Sequence, residues 1–151
     1  MAIVEVTDVD KTYRQGKVAV HALKHICLAV ERGSFTALAG PSGSGKTTLL
    51  NMIGGLDAPD RGEIRVDGHH YGKMTPSDMA ELRLRRIGFV FQAYNLLPVL
   101  SAVENVEYVM QLQGVDPKER RERARAILDE VGLSGKYHNR PAELSGGQQQ
   151  R

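Results

Sequence analysis

The sequence predicts a mixed α/β chain in two parts, with strands and helices over residues 1–92 and mainly helices over residues 93–151. Three observations predict it. β-Branched residues alternate near the N-terminus, a glycine-rich loop joins a short apolar run to a helical pattern, and two capped helical patterns follow one another in the last third.

Within residues 2–6 and 18–30, Ile3, Val4, Val6, Val18, Val20, Ile26 and Val30 alternate as in half-buried strands. Tyr13-Arg14-Gln15-Gly16 reads as a turn-prone connection, and Glu31-Arg32-Gly33 as the next break. The apolar run over residues 35–39 ends at Gly40 and predicts a buried parallel strand. Lys46 to Ile53 puts Leu49, Leu50, Met52 and Ile53 at helical spacing before Gly54-Gly55 stops the pattern. Ala58-Pro59-Asp60-Arg61-Gly62 is a turn, residues 63–66 a strand, and Asp67-Gly68 a second turn. Thr75-Pro76-Ser77-Asp78 caps a helix, and residues 87–91 read as a further apolar strand. Ser101-Ala102-Val103-Glu104 and Asp116-Pro117-Lys118-Glu119 are capping boxes, the second opening a helix with the stripe Ala124, Ile127, Leu128 and Val131.

The bulk composition narrows the function classes. Hydrophobic residues make up 41% and charged residues 25% of 151, which suits one globular domain and argues against disorder. Twenty basic and 18 acidic residues leave a net charge of +2, too little to imply a nucleic-acid partner. The basic run over residues 118–125 is interrupted by Glu119 and Glu122 and reads as a solvated helix face. Cys27 is the single cysteine, so neither an internal disulfide nor a cysteine metal cluster can form. The N-terminus has no basic start followed by an apolar core, and no apolar stretch reaches the ~18–20 residues of a membrane helix. A cytoplasmic location is expected, with any membrane role coming through a partner.

Gly40-Pro41-Ser42-Gly43-Ser44-Gly45-Lys46-Thr47, followed by Thr48, meets G-x-x-x-x-G-K-[ST] at every fixed position. Glycines let successive backbone N–H groups turn onto a polyphosphate, and the helix that follows adds its open N–H groups and dipole. Lys46 can reach the outer phosphates and the Thr47 hydroxyl can ligate Mg²⁺. Nucleoside monophosphate kinases, GTPases and transporters share this loop, and GPSGSGK also resembles guanylate kinases. No Asn-Lys-x-Asp sequence is present, which weakens the GTPase reading. A second motif, Leu144-Ser145-Gly146-Gly147-Gln148, continues into Gln149-Gln150-Arg151. Physically it is another anion site, a serine hydroxyl and two glycine N–H groups at a helix start, although a simple serine cap would look the same.

The two motifs together resemble the ATP-binding cassette (ABC) family over essentially the whole chain. The resemblance implies a P-loop NTPase core with an antiparallel β-subdomain over residues 1–92 and a helical subdomain over residues 93–151, with the C-terminal core strands missing. It implies ATP and Mg²⁺ as ligands, with Mg²⁺ held by Thr47 and Gln92. Tyr13 matches the aromatic residue that stacks on adenine, against the alternative of a tyrosine covering the sheet edge. Gln92 matches the glutamine that follows a core strand and couples to transport domains, against an ordinary loop amide. Residues 144–148 would act in trans on ATP held by a second ABC ATPase subunit, in a head-to-tail dimer.

Transmembrane permease subunits are the further partners implied, placing the protein at the inner face of the membrane. Residues 91–106 look most like the ATPases of lipoprotein-releasing and macrolide-export transporters. Asn95-Leu96-Leu97-Pro98-Val99-Leu100 would be a docking patch if exposed and core if buried. The rival within the family is a soluble ABC ATPase of translation or repair; no long heptads between residues 49 and 143 support the repair type.

The resemblance also places a catalytic glutamate and a switch histidine after Arg151. His21, His25, His69, His70 and His138 all precede the signature and do not match that histidine. Phosphate binding without efficient turnover is therefore the expectation for these 151 residues, a nucleotide-binding module rather than a competent ATPase. Residues 35–39 are further expected to lack a neighbouring strand, which predicts a marginal, aggregation-prone chain.

Overall fold

Two long strands, β1 (Ala2–Gln15) and β2 (Val18–Glu31), pair antiparallel and start an antiparallel sheet. The computed structural model describes residues 1–16 and 18–151. Val4 faces Val30, Val6 faces Leu28 and Tyr13 faces Val20 across the pair. β1 therefore runs through the predicted turn patch at Tyr13, and Gly16 is the described residue left as turn. On the other side of β1 lies β3 (Arg61–Val66), followed by the short β4 (His69–His70), giving the order β2-β1-β3-β4.

The register between β1 and β2 breaks between Val6 and Val9, at Asp8, and again between Val9 and Lys11, opposite His25; Asp8 and His25 both take left-handed backbone angles. The extra residue changes the parity of β1, so Val6 and Val9 both enter the core. β3 keeps strict alternation, with Ile64 and Val66 buried and Glu63 and Arg65 exposed. Gly62 crosses so close to Asp8 that a Cβ there would overlap the Asp8 backbone.

Helix α1 (Lys46–Ile53) buries Leu49 and Met52 against this sheet, while Leu50 is exposed. Its C-terminal end is tied down from later elements. Tyr71 is buried and its hydroxyl donates to the Ile53 carbonyl over 2.6 Å, and Arg83 donates to the Gly55 carbonyl over 2.8 Å. Burial pushes the Tyr71 hydroxyl up to about 12. Helix α2 (Pro76–Arg86) starts on a full capping box between Thr75 and Asp78, as the sequence predicts, and buries Leu82 in the same core.

Residues 35–39 do not form the predicted strand. No described strand pairs with them, and Phe35 is 99% exposed. Residues 87–91 likewise carry no strand assignment, and Val90 and Phe91 are exposed. A strand needs a neighbour to satisfy its backbone, and an apolar run alone does not supply one.

The chain separates into two compact units, Met1–Gly88 and Phe89–Arg151. The second unit has its own core under helices α3 (Ala102–Leu112) and α4 (Pro117–Glu130), formed by Val103, Ala124, Leu128, Leu133 and Leu144. Ile127, placed by the sequence in the apolar stripe, is exposed. The first amides of α3 donate to the carbonyls of Asn139 and Tyr137, so that helix start is closed by backbone.

Glu107, 4% exposed, takes hydrogen bonds from Arg120 and Arg121 across the two helices. The basic run is therefore not wholly a solvated face: two of its arginines neutralise a buried carboxylate. Asn105 clamps the loop before α3, accepting from the Leu97 amide and donating to the Leu97, Leu100 and Ser101 carbonyls. Residues 95–100 are thereby shaped but mostly exposed, Val99 at 73%.

Candidate functional site

The loop over residues 40–48 curls around its own lysine. The Lys46 ammonium donates to the Gly40 carbonyl over 2.9 Å, the Pro41 carbonyl over 2.7 Å and the Ser44 hydroxyl over 3.2 Å. Those three bonds use all three ammonium donors. The Ser44 amide adds a bond to the Pro41 carbonyl.

Gly45 makes the join to α1 with φ +87°. A Cβ on it would lie 2.8 Å from Leu23 Cδ2 and closer still to the Ala22 carbonyl of β2, so the loop passes where only glycine fits. Gly45 offers α1 no side-chain cap, and the first-turn amides are left for an anion. Pro41, Ser42, Gly43, Ser44 and Thr47 are exposed, whereas Thr48 is half-buried. One positive charge, a ring of loop backbone and an uncapped helix start thus meet within nine residues.

Tyr13 lies at the end of β1, 42% exposed. Its hydroxyl donates to Asp57 over 2.6 Å, and the Thr48 hydroxyl in the first turn of α1 also acts on it. Lys11 donates to the same Asp57 over 2.8 Å and to the Ala58 carbonyl over 2.6 Å, its ammonium lying 5.2 Å from the Tyr13 ring centre. The bond to Asp57 raises the Tyr13 hydroxyl and the Lys11 ammonium above their ordinary values. Burial pushes the Asp57 carboxyl up, but the bonds from Lys11, Tyr13 and the Ala58 amide outweigh it and hold it below the usual aspartate value. Sequence reading missed Lys11 and Asp57. They stand 46 residues apart, beyond any local pattern, and Asp57 precedes the turn that the sequence predicts over residues 58–62.

In the second unit, Ser145 caps helix α5 (Gly146–Gln150). Its hydroxyl accepts from the Gln148 amide over 3.3 Å, and the Gln148 side chain accepts from the Ser145 amide over 2.9 Å. Leu144 is buried in the second core, and Gln149 donates to the Pro141 and Leu144 carbonyls. Gly146 and Gly147 are exposed, with nothing within 4 Å of a Cβ built at Gly147 and no positive φ at either. Gln92 is exposed in the same unit, in a bend rather than after a strand.

The ABC transporter family model matches residues 23–151, a span that includes both the lysine-centred loop and the capped glycine pair. The chain belongs to the ABC transporter family. It is 48% identical over 149 residues to an uncharacterized ABC transporter ATP-binding protein of Thermotoga maritima, covering 99% of this chain and 64% of that one. It is 50% identical over 153 residues to the macrolide export ATP-binding/permease protein MacB of Syntrophobacter fumaroxidans, covering all of this chain and 21% of that one.

Among solved structures, a dimeric post-hydrolysis state of an ATP-binding cassette bound to ADP and Pi matches with a TM-score of 0.88 and 41% identity. That match covers 97% of this chain and 65% of the other. The fold is therefore that of an ABC cassette, with this chain spanning a little under two thirds of the Thermotoga maritima relative and of the solved cassette. Residues 40–48 and Tyr13 fall in the unit that carries the antiparallel sheet, and Gln92 and residues 144–148 in the helical one.

Proposed function

We propose that this chain is the nucleotide-binding portion of a transporter ATPase, holding MgATP in the loop over residues 40–48. The observation that carries this reading is the Lys46 ammonium, gathered by the loop's own carbonyls beside an uncapped helix start. A polyphosphate supplies the negative charge that such an arrangement lacks, and Lys46 exchanges carbonyl partners for phosphate oxygens. The exposed Thr47 hydroxyl would hold Mg²⁺. Mg²⁺, when bound, offsets phosphate charge that one lysine cannot neutralise alone.

Residues 1–92 act as the nucleotide-binding core and residues 93–151 as the helical subdomain. Leu144, Ser145, Gly146, Gly147 and Gln148 serve the ATP of a second cassette, head to tail. The free space around Gly147 supports an external partner, because the fold itself makes no demand for glycine there. In the intact protein, hydrolysis then powers transmembrane permease subunits from the inner face of the membrane. The relative named as a macrolide export ATP-binding/permease protein supports that coupling. Among the described residues no helix is long and apolar enough to cross a membrane.

Titration of the chain with MgATP tests the loop. Replacing Lys46 by Ala should weaken binding by about 100-fold, since a charge-assisted phosphate contact is worth roughly 2–3 kcal/mol. Equal affinity in both proteins would remove the lysine, and with it the cradle, from the assignment.

A further inference from the structure

The turn that precedes β3 covers an edge of β1 that β3 does not reach. β1 pairs with β3 only as far as Asp10 opposite Arg61. Beyond that point the Asp60 amide donates to the Asp10 carbonyl over 3.0 Å, and the Thr12 amide donates to the Asp60 carboxylate over 2.7 Å. The turn thereby takes the place of a strand and brings Asp57 beneath the side chains of Lys11 and Tyr13.

A tyrosine at a strand end, 42% exposed, would otherwise turn freely about two side-chain bonds. Here its hydroxyl is fixed at 2.6 Å from Asp57, and the same carboxylate holds Lys11 at 2.8 Å, with the ammonium 5.2 Å from the ring centre. Lys11 in turn is anchored to the Ala58 carbonyl. One face of the ring is thus committed to an internal cation, and the other is the one a flat ligand can use.

We propose that Asp57 is a positioning residue for the nucleotide base: through Tyr13 and Lys11 it holds the aromatic ring in one orientation beside α1. This rests on the reading of residues 40–48 as the phosphate site, since the base of a nucleotide held there is what the ring would meet. The ring contributes to affinity because its orientation is set before the ligand arrives, and the ordering cost falls on folding rather than on binding. The base contribution is therefore controlled by a carboxylate that does not touch the ligand.

Calorimetric titration of the 151-residue chain with Mg-tripolyphosphate and with MgATP separates the two contributions. The wild-type chain should bind ATP more tightly than tripolyphosphate. Asp57→Asn and Tyr13→Phe should each weaken ATP by about three- to tenfold and leave tripolyphosphate within about twofold. The double variant should be no weaker than either single one, because both cut the same tie.

Equal losses on both ligands would show that Asp57 merely supports the loop, and unchanged ATP affinity would show that the tie is idle; either overturns the proposal. Additive losses in the double variant would overturn it as well. A wild-type chain that binds both ligands equally refutes the base platform and leaves the phosphate loop standing. A chain that binds neither removes the loop reading itself, and this inference with it.

Discussion

At Gly45 a Cβ would strike the backbone of Ala22 and the side chain of Leu23, whereas at Gly147 it would meet nothing within 4 Å. Gly45 has φ +87°, while neither Gly146 nor Gly147 has a positive φ. Both glycines belong to short glycine-containing motifs at helix starts, so sequence alone treats them alike. Their surroundings do not. The first is required by the packing of its own unit, and the second is left bare by its unit. Glycine in one place answers a steric demand from inside, and in the other leaves backbone accessible from outside.

The contrast is tested most forcefully at Gly45. Alanine there must move the β2 backbone or Leu23 and hold an unfavourable φ, so Gly45→Ala should cost about 3–5 kcal/mol. Chemical denaturation followed by circular dichroism reads that loss, and nucleotide binding should disappear with it. A variant of normal stability would mean that α1 is not seated against β2 as described.

Leu144→Ala sharpens the other side of the comparison. Leu144 is 8% exposed in a core with Val103, Ala124 and Leu128, and a leucine deleted from such a site costs about 2–4 kcal/mol. The loss should be read in the helical unit, by faster amide exchange in α3 and α4. MgATP affinity at residues 40–48 should hold. Inside one pentapeptide, the leucine then belongs to the fold and the glycines do not.

The readable parts of the sequence are those whose signals lie within about four residues. Thr75 with Asp78, Ser101 with Glu104 and Asp116 with the amides of Lys118 and Glu119 all start helices where the sequence places them. The loop around Lys46 and the cap at Ser145 are legible for the same reason. Whatever depends on a distant partner is not. Residues 35–39 and 87–91 look like strands because they are apolar, yet pairing is a property of the neighbour. Glu107 meets Arg120 and Arg121 only once two helices are packed, and Asp57 meets Lys11 and Tyr13 only once a turn is laid along β1. The extension of β1 through Tyr13 was hidden by the turn-forming residues around it, because pairing along a fourteen-residue strand outweighs local preference.

The smallest stability effect is expected at Gly147, where the comparison is most exposed to failure. Gly147 lies inside α5 with space around it, so alanine should leave stability unchanged or raise it by about 0.5–1 kcal/mol, the usual helix gain. Binding of MgATP by a single chain should also be unaffected, because Gly147 belongs to the helical unit and residues 40–48 to the other. What should change is association: if Gly147 serves a second cassette as proposed, ATP-dependent dimerisation of the intact cassette measured by sedimentation should weaken by about tenfold or more, since a methyl group then stands where the partner's phosphate would approach bare backbone. A Gly147→Ala protein that dimerises normally would return the glycine pair to an ordinary helix start after a serine cap, and the contrast with Gly45 would be one of packing alone.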